Sequence, residues 1–74
     1  MIDVKQIGKN IKELRKEKGM TQREFALIVN CHQVELSQWE TGVREPTYTR
    51  LVQLAMALGV DMNRLFEGVY KPEN

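Results

Sequence analysis

One cysteine, Cys31, in a chain of 74 residues rules out an internal disulfide and agrees with a reducing compartment. The only histidine, His32, stands beside it, and a single Cys and a single His are too few ligands for a zinc site. Adjacent residues in a turn do not generally aim at one another as nucleophile and base, and no third group suggests an orienter. Glycine-rich phosphate loops are absent. The chain therefore reads as a non-enzyme, with no metal, cofactor or small-molecule ligand expected. No apolar run approaches the roughly 20 residues of a membrane span. The opening Met1-Ile2-Asp3-Val4-Lys5 lacks the charged-then-apolar layout of a signal peptide. No membrane partner is expected, and the expected location is cytoplasmic. An excess of charge of one sign is missing too: the formal net charge is only +1, short of the basic balance that usually marks a nucleic-acid binder.

Seventy-four residues can build one core, and a core of that size is marginal without staples or partners. Repeats and low-complexity segments do not occur. The chain reads as one domain over residues 1–70, followed by a loose tail over 71–74, Lys71-Pro72-Glu73-Asn74.

What is present is concentrated between Thr21 and Gly42, TQREFALIVNCHQVELSQWETG. Thr21 and Glu24 have the spacing of a capping box, so a helix is expected from Gln22, with Phe25, Ala26, Ile28 and Val29 as its apolar positions. The pattern stops at Asn30, which tolerates the left-handed conformation that a tight turn needs. After Asn30-Cys31-His32, a second helix is expected over Gln33–Thr41, with Leu36 and Trp39 on one face and Gly42 as its left-handed cap. Ala26 allows a close crossing of the two helices. Two helices across a three-residue break are the helix-turn-helix pattern, although many helical hairpins share that spacing.

The flanks read as scaffold. A first helix is expected from about Asp3 to Lys18, with Val4, Ile7, Ile11 and Leu14 as its apolar stripe and Gly19 ending it. A fourth starts at Pro46-Thr47, buries Leu51, Leu54, Ala55 and Leu58, and stops at Gly59. Asp61 caps a short fifth helix containing Leu65 and Phe66. The expected fold class is an all-α bundle of five helices. Most of the charge on the first helix, including Lys5, Lys9, Lys12, Lys16 and Lys18, reads as a solvated face with pairs such as Lys9 and Glu13.

Leu14-Arg15, Gly19-Met20-Thr21-Gln22, Trp39-Glu40-x-Gly42, Arg44-Glu45-Pro46-Thr47 and Leu54-Ala55-x-Ala57-Leu58-Gly59-Val60 stand in the order found in one family. Over residues 6–67 the chain resembles the Cro/repressor-type helix-turn-helix family of bacterial transcription regulators, also called the xenobiotic-response-element family. Two positions depart from its pattern. Asn30 stands where glycine is usual, and His32, a poorer N-cap, stands where serine or threonine is usual.

The resemblance implies a sequence-specific regulator, bacterial or phage-encoded, that binds a pseudo-palindromic site on double-stranded DNA as a homodimer. Half-sites of such operators lie about 34–36 Å apart. In the expected recognition helix, Gln33, Val34, Ser37 and Gln38 are the outward candidates for base edges: glutamine can bond adenine bidentately, and a valine methyl can pack on thymine's. Glu35 is ambiguous, since it could accept from cytosine or point sideways. Thr21 and Gln22, at a helix N-terminus, are candidates for phosphate, with Arg23, Arg44 and Thr47 as additions. With so few cations the salt slope is expected at about −3 to −5 per half-site. The family pattern also implies a partly buried ion pair between Arg15 and Glu40, structural rather than DNA-contacting. Leu65, Phe66, Val69 and Tyr70 are candidates for the dimer interface, with core packing the competing account, preferred for Leu65. The alternative function is a protein-interaction module or antitoxin-like partner-binding protein on the same fold, for which the near-neutral charge and Glu35 speak.

Overall fold

The computed structural model describes residues 1–72. Among them five helices follow one another: α1 Lys5–Glu17, α2 Gln22–Val29, α3 Gln33–Thr41, α4 Tyr48–Leu58 and α5 Met62–Leu65. Ile7, Ile11 and Leu14 of α1 meet Phe25, Ala26 and Val29 of α2, Leu36 and Trp39 of α3, Leu51, Leu54, Ala55 and Leu58 of α4, and Leu65 and Val69 in one core. The 3.6-residue period puts each of these sets on one face of its helix.

The starts of α2, α4 and α5 each have a local cause. Thr21 Oγ1 accepts the Glu24 N–H at 3.1 Å while the Glu24 carboxylate accepts the Thr21 N–H at 2.9 Å, the complete capping box. Thr47 and Asp61 cap α4 and α5 by accepting the N–H groups of Arg50 and Arg64. Pro46 and Thr47 thus precede α4, which begins at Tyr48, not within it. The C-terminal ends of α2, α3 and α4 are closed by left-handed residues, and Asn30 at φ 60° is the one non-glycine among them.

Several expectations are corrected. Helix α1 begins at Lys5 rather than Asp3, because Met1–Asp3 is extended: Met1 and Lys71 exchange hydrogen bonds at 2.7 Å, and the Asp3 N–H reaches Val69 O at 2.7 Å, around an antiparallel bridge of Ile2 with Tyr70. Val4 is left outside the apolar stripe at the N-cap, exposed. Ile28 is also exposed, because the core side of the short α2 is already taken by Phe25, Ala26 and Val29. Lys71, expected to open a loose tail, is bonded to Met1 in that ladder. The rest of that tail, Glu73 and Asn74, lies outside the described residues.

Two residues that the apolar pattern did not mark hold α1 in place. A side chain at Gly8 would overlap Trp39 O and come within 2.8 Å of Glu40 O, so the backbones of α1 and α3 touch directly. Asn10, buried on the core side, donates both amide protons, to Leu65 O and Glu67 O, each at 2.8 Å. It accepts from Gln6 Nε2 at 3.0 Å, so every polar atom it buries is satisfied.

Candidate nucleic-acid interface

The outer surface of α3 is polar because the helix buries only Leu36, Trp39 and Glu40. Gln33 and Val34 are exposed, Val34 at 67%, while Ser37 and Gln38 are half-buried at the edges of the same surface. The side-chain hydrogen bonds of α3 are confined to Glu35, Glu40 and Thr41. The hydroxyl of Ser37 and the amides of Gln33 and Gln38 therefore have no partner among the described residues and are open to one from outside.

His32 makes no side-chain cap, yet the first turn of α3 is held from the other direction. Glu35 Oε1 accepts the His32 N–H at 3.1 Å, the reverse half of a capping box. This places Glu35 sideways, against the turn and away from the outward group. The lone carboxylate also complements the positive end of the helix dipole.

The turn before α3 is fixed by Arg50, which the apolar and capping patterns do not single out. Its guanidinium donates to Val29 O at 3.2 Å and Asn30 O at 3.3 Å, carbonyls at the C-terminal end of α2, and it sits 5.7 Å from the centre of the Trp39 ring. A cation suits a helix C-terminus and an aromatic face alike. Cys31 is half-buried against the core, and that burial pushes its thiol pKa up.

Around α3, the candidate phosphate residues fall on two flanks. Arg44 and Thr47 line a depression beside α3, together with Glu35, Gln38 and Arg50. Thr21, Gln22 and Arg23 stand at the start of α2, whose first turn leaves backbone N–H groups free. Three of the five candidates are already partly engaged, Thr47 by accepting the Arg50 N–H as the cap of α4. The N–H and the acceptor oxygen of Thr21 are committed to Glu24, which leaves its hydroxyl proton. The Gln22 amide donates to Glu40 Oε1 at 2.9 Å, which leaves its second amide proton and its backbone N–H.

That last bond belongs to a buried network beneath the surface. Arg15 grips Glu40 with two hydrogen bonds, Nε to Oε2 at 2.7 Å and Nη2 to Oε1 at 3.1 Å, and donates a third to Met20 O at 2.8 Å. The side chains of Arg15 and Glu40 are 7% and 1% exposed. Helices α1 and α3, together with the start of α2, are thereby pinned in one register.

At the far end, two of the four candidate dimer residues are withdrawn. Leu65 and Val69 are buried in the chain's own core, at 0% and 7% exposure, because α5 and the following turn fold back on α1. Phe66 and Tyr70 remain on the surface, near exposed Val4 and Ile2 respectively.

Comparison with known proteins agrees with this geometry. A helix-turn-helix family model matches residues 11–65. An uncharacterized HTH-type transcriptional regulator, y4dJ of Sinorhizobium fredii, is 46% identical over 56 residues, covering 76% of this chain and 73% of its own. Among solved structures, the restriction-modification controller protein C.AhdI from Aeromonas hydrophila superposes with a TM-score of 0.78 at 30% identity, covering 85% of this chain and 94% of its own. The P22 c2 repressor protein in complex with a synthetic operator gives a TM-score of 0.77 at 31% identity, covering 84% and 94%.

Proposed function

Because this chain belongs to the Cro/repressor-type helix-turn-helix family of DNA-binding transcription regulators, we propose that it binds a pseudo-palindromic operator as a homodimer, with α3 of each protomer in a major groove. The observation that carries the reading is the outer surface of α3, where Gln33, Ser37 and Gln38 hold unpaired polar groups around an exposed Val34. Glutamine amides match the N6 and N7 edge of adenine, and the valine methyls match the methyl of thymine, so the half-site contains A·T pairs. Helix α3 is anchored by Arg15, Glu40 and the Gly8 contact, so this surface meets DNA as a rigid unit.

Phosphates are held from both flanks, by the first turn of α2 with Arg23 and by Arg44 and Thr47 across the groove, which orients the reader without selecting sequence. Phe66 and Tyr70 supply the self-association surface, and the half-sites read by the two copies lie about 34–36 Å apart.

The test is fluorescence anisotropy with duplex DNA taken from upstream of the chain's own gene, against scrambled DNA of equal length, at two salt concentrations. Selective binding that survives the higher salt is expected. Gln33→Ala should then weaken binding by about 1–3 kcal/mol and relax selectivity at one base position. Equal binding by the variant would remove Gln33 from the reading surface, and equal binding of both DNAs by the parent would sink the operator assignment.

A further inference from the structure

Helix α1 carries four lysines that no ion pair uses among the described residues. Among the described residues, ion pairs join Arg15 to Glu40, Arg64 to Glu17 and Glu67, and Lys71 to Asp3. Lys5, Lys9, Lys12 and Lys16 are exposed and take part in none of them. Lys9 and Glu13 have the spacing of a helical ion pair yet are not joined, so the picture of a face laced with such pairs does not hold here.

The arrangement of these lysines is ordered. With 3.6 residues per turn the four fall within an arc of roughly 60°, a single stripe about 16 Å long. Glu13 and Glu17 lie to one side of it. That side turns toward α5, since Glu17 meets Arg64 and Asn10 reaches Leu65 and Glu67. On the other side of the stripe, Gly8 and Arg15 face α3, and the Lys5 side chain lies against Gly42 at the end of α3. The cations therefore occupy the solvent face of the helix, between the side that meets α3 and the carboxylates on the α5 side. Lys5 with Lys9, and Lys12 with Lys16, are like charges four residues apart, a spacing that destabilises a free helix.

We infer that this stripe is a third phosphate-binding element, contacting the backbone of the same duplex that α3 reads. The inference rests on the DNA-binding reading above. It accounts for the lack of cations on the reading surface itself: α3 contains no lysine or arginine, so counterion release has to come from neighbouring elements. A stripe of about 16 Å faces four or five phosphates of one strand at roughly 3.4 Å of rise per nucleotide. A membrane or an acidic protein would also be attracted to lysines. Continuity with α3 favours DNA, because one rigid body presents both surfaces.

The experiment compares two triple variants with the parent on a random-sequence duplex, where phosphate contacts alone supply binding, and on the gene-upstream duplex. K9Q/K12Q/K16Q removes three lysines of the stripe, and K18Q/R64Q/K71Q removes three cations elsewhere; each takes the formal net charge from +1 to −2. Circular dichroism of both variants checks that they remain helical. The slope of log K against log salt should become shallower by about 2–3 in the stripe variant, at roughly 0.9 for each phosphate no longer neutralised, while the control keeps the parent slope. Equal change in both variants, or no change in either, would overturn the proposal. A stripe variant that loses acidic-vesicle or acidic-peptide binding but keeps its DNA slope would overturn it in favour of those partners. Selectivity between the two duplexes reports on Gln33 and its neighbours and not on the stripe, so the two readings fail separately. A parent that binds neither duplex would end both.

Discussion

Replacing Glu40 with alanine is the sharpest test of how the reading surface is held. The carboxylate accepts two bonds from Arg15 and one from Gln22, and both charged side chains are almost wholly out of water. Without it, the Arg15 guanidinium keeps only Met20 O and is left as a buried cation short of partners. Breaking one side of such a pair costs about 3–5 kcal/mol, mostly the uncompensated charge. A chain of 74 residues has a total stability of about 4–11 kcal/mol, so Glu40→Ala should remove roughly a quarter of it or more. Urea unfolding followed by circular dichroism measures this, with a fall in midpoint at unchanged slope marking a true stability loss. The double variant Arg15→Met with Glu40→Leu supplies the contrast. It removes both charges and fills the space with apolar groups, and its stability should be near that of the parent or up to a few kcal/mol above it. A cost below about 1 kcal/mol for Glu40→Ala, the range of exposed pairs, would refute the claim that this network is buried and decisive.

Three further outcomes are expected. Asn10→Ala leaves the carbonyls of Leu65 and Glu67 without their donor and should cost about 2–6 kcal/mol at roughly 1–3 per stranded group, with amide exchange accelerating first in α5. Phe66→Glu with Tyr70→Glu places charges on the proposed self-association surface; sedimentation should show a shift to monomer while circular dichroism stays unchanged, and an unaltered dimer would move the interface elsewhere. Hydrogen bonding to Thr21 holds the Glu24 carboxyl below the usual glutamate range. The stability it contributes is therefore present above the unfolded-state value and is lost as pH falls through the lower folded value. Glu24→Gln should flatten that part of the acid limb in a urea series against pH, and an unchanged limb would show that the capping box contributes nothing that titrates.

The local elements were legible in the sequence because their signals are local. Thr21 with Glu24, Asn30, Gly42, Thr47, Asp61 and the apolar period are read within four or five residues of chain, and the bounds of α2 and α3 follow from them. The outward set on α3 is legible for the same reason, since Leu36 and Trp39 define the inward face. What no local signal carries is which surfaces the fold consumes. Leu65 already reads as core, but Val69 looks like part of a sticky end until the turn after α5 folds back on α1, and Val4 looks like core until Met1–Asp3 pairs with the segment around Tyr70.

The roles of single polar residues divide along the same line. Arg50 on the carbonyls at the end of α2 and Asn10 on those of Leu65 and Glu67 are decided by neighbours that arrive from elsewhere in the chain. Sequence by itself determined the five helices, their caps and the polar surface of α3, because propensity, capping and periodicity act over a few residues. Tertiary structure alone decided which apolar groups stay exposed and which charges are buried or left free, because burial depends on where distant segments pack.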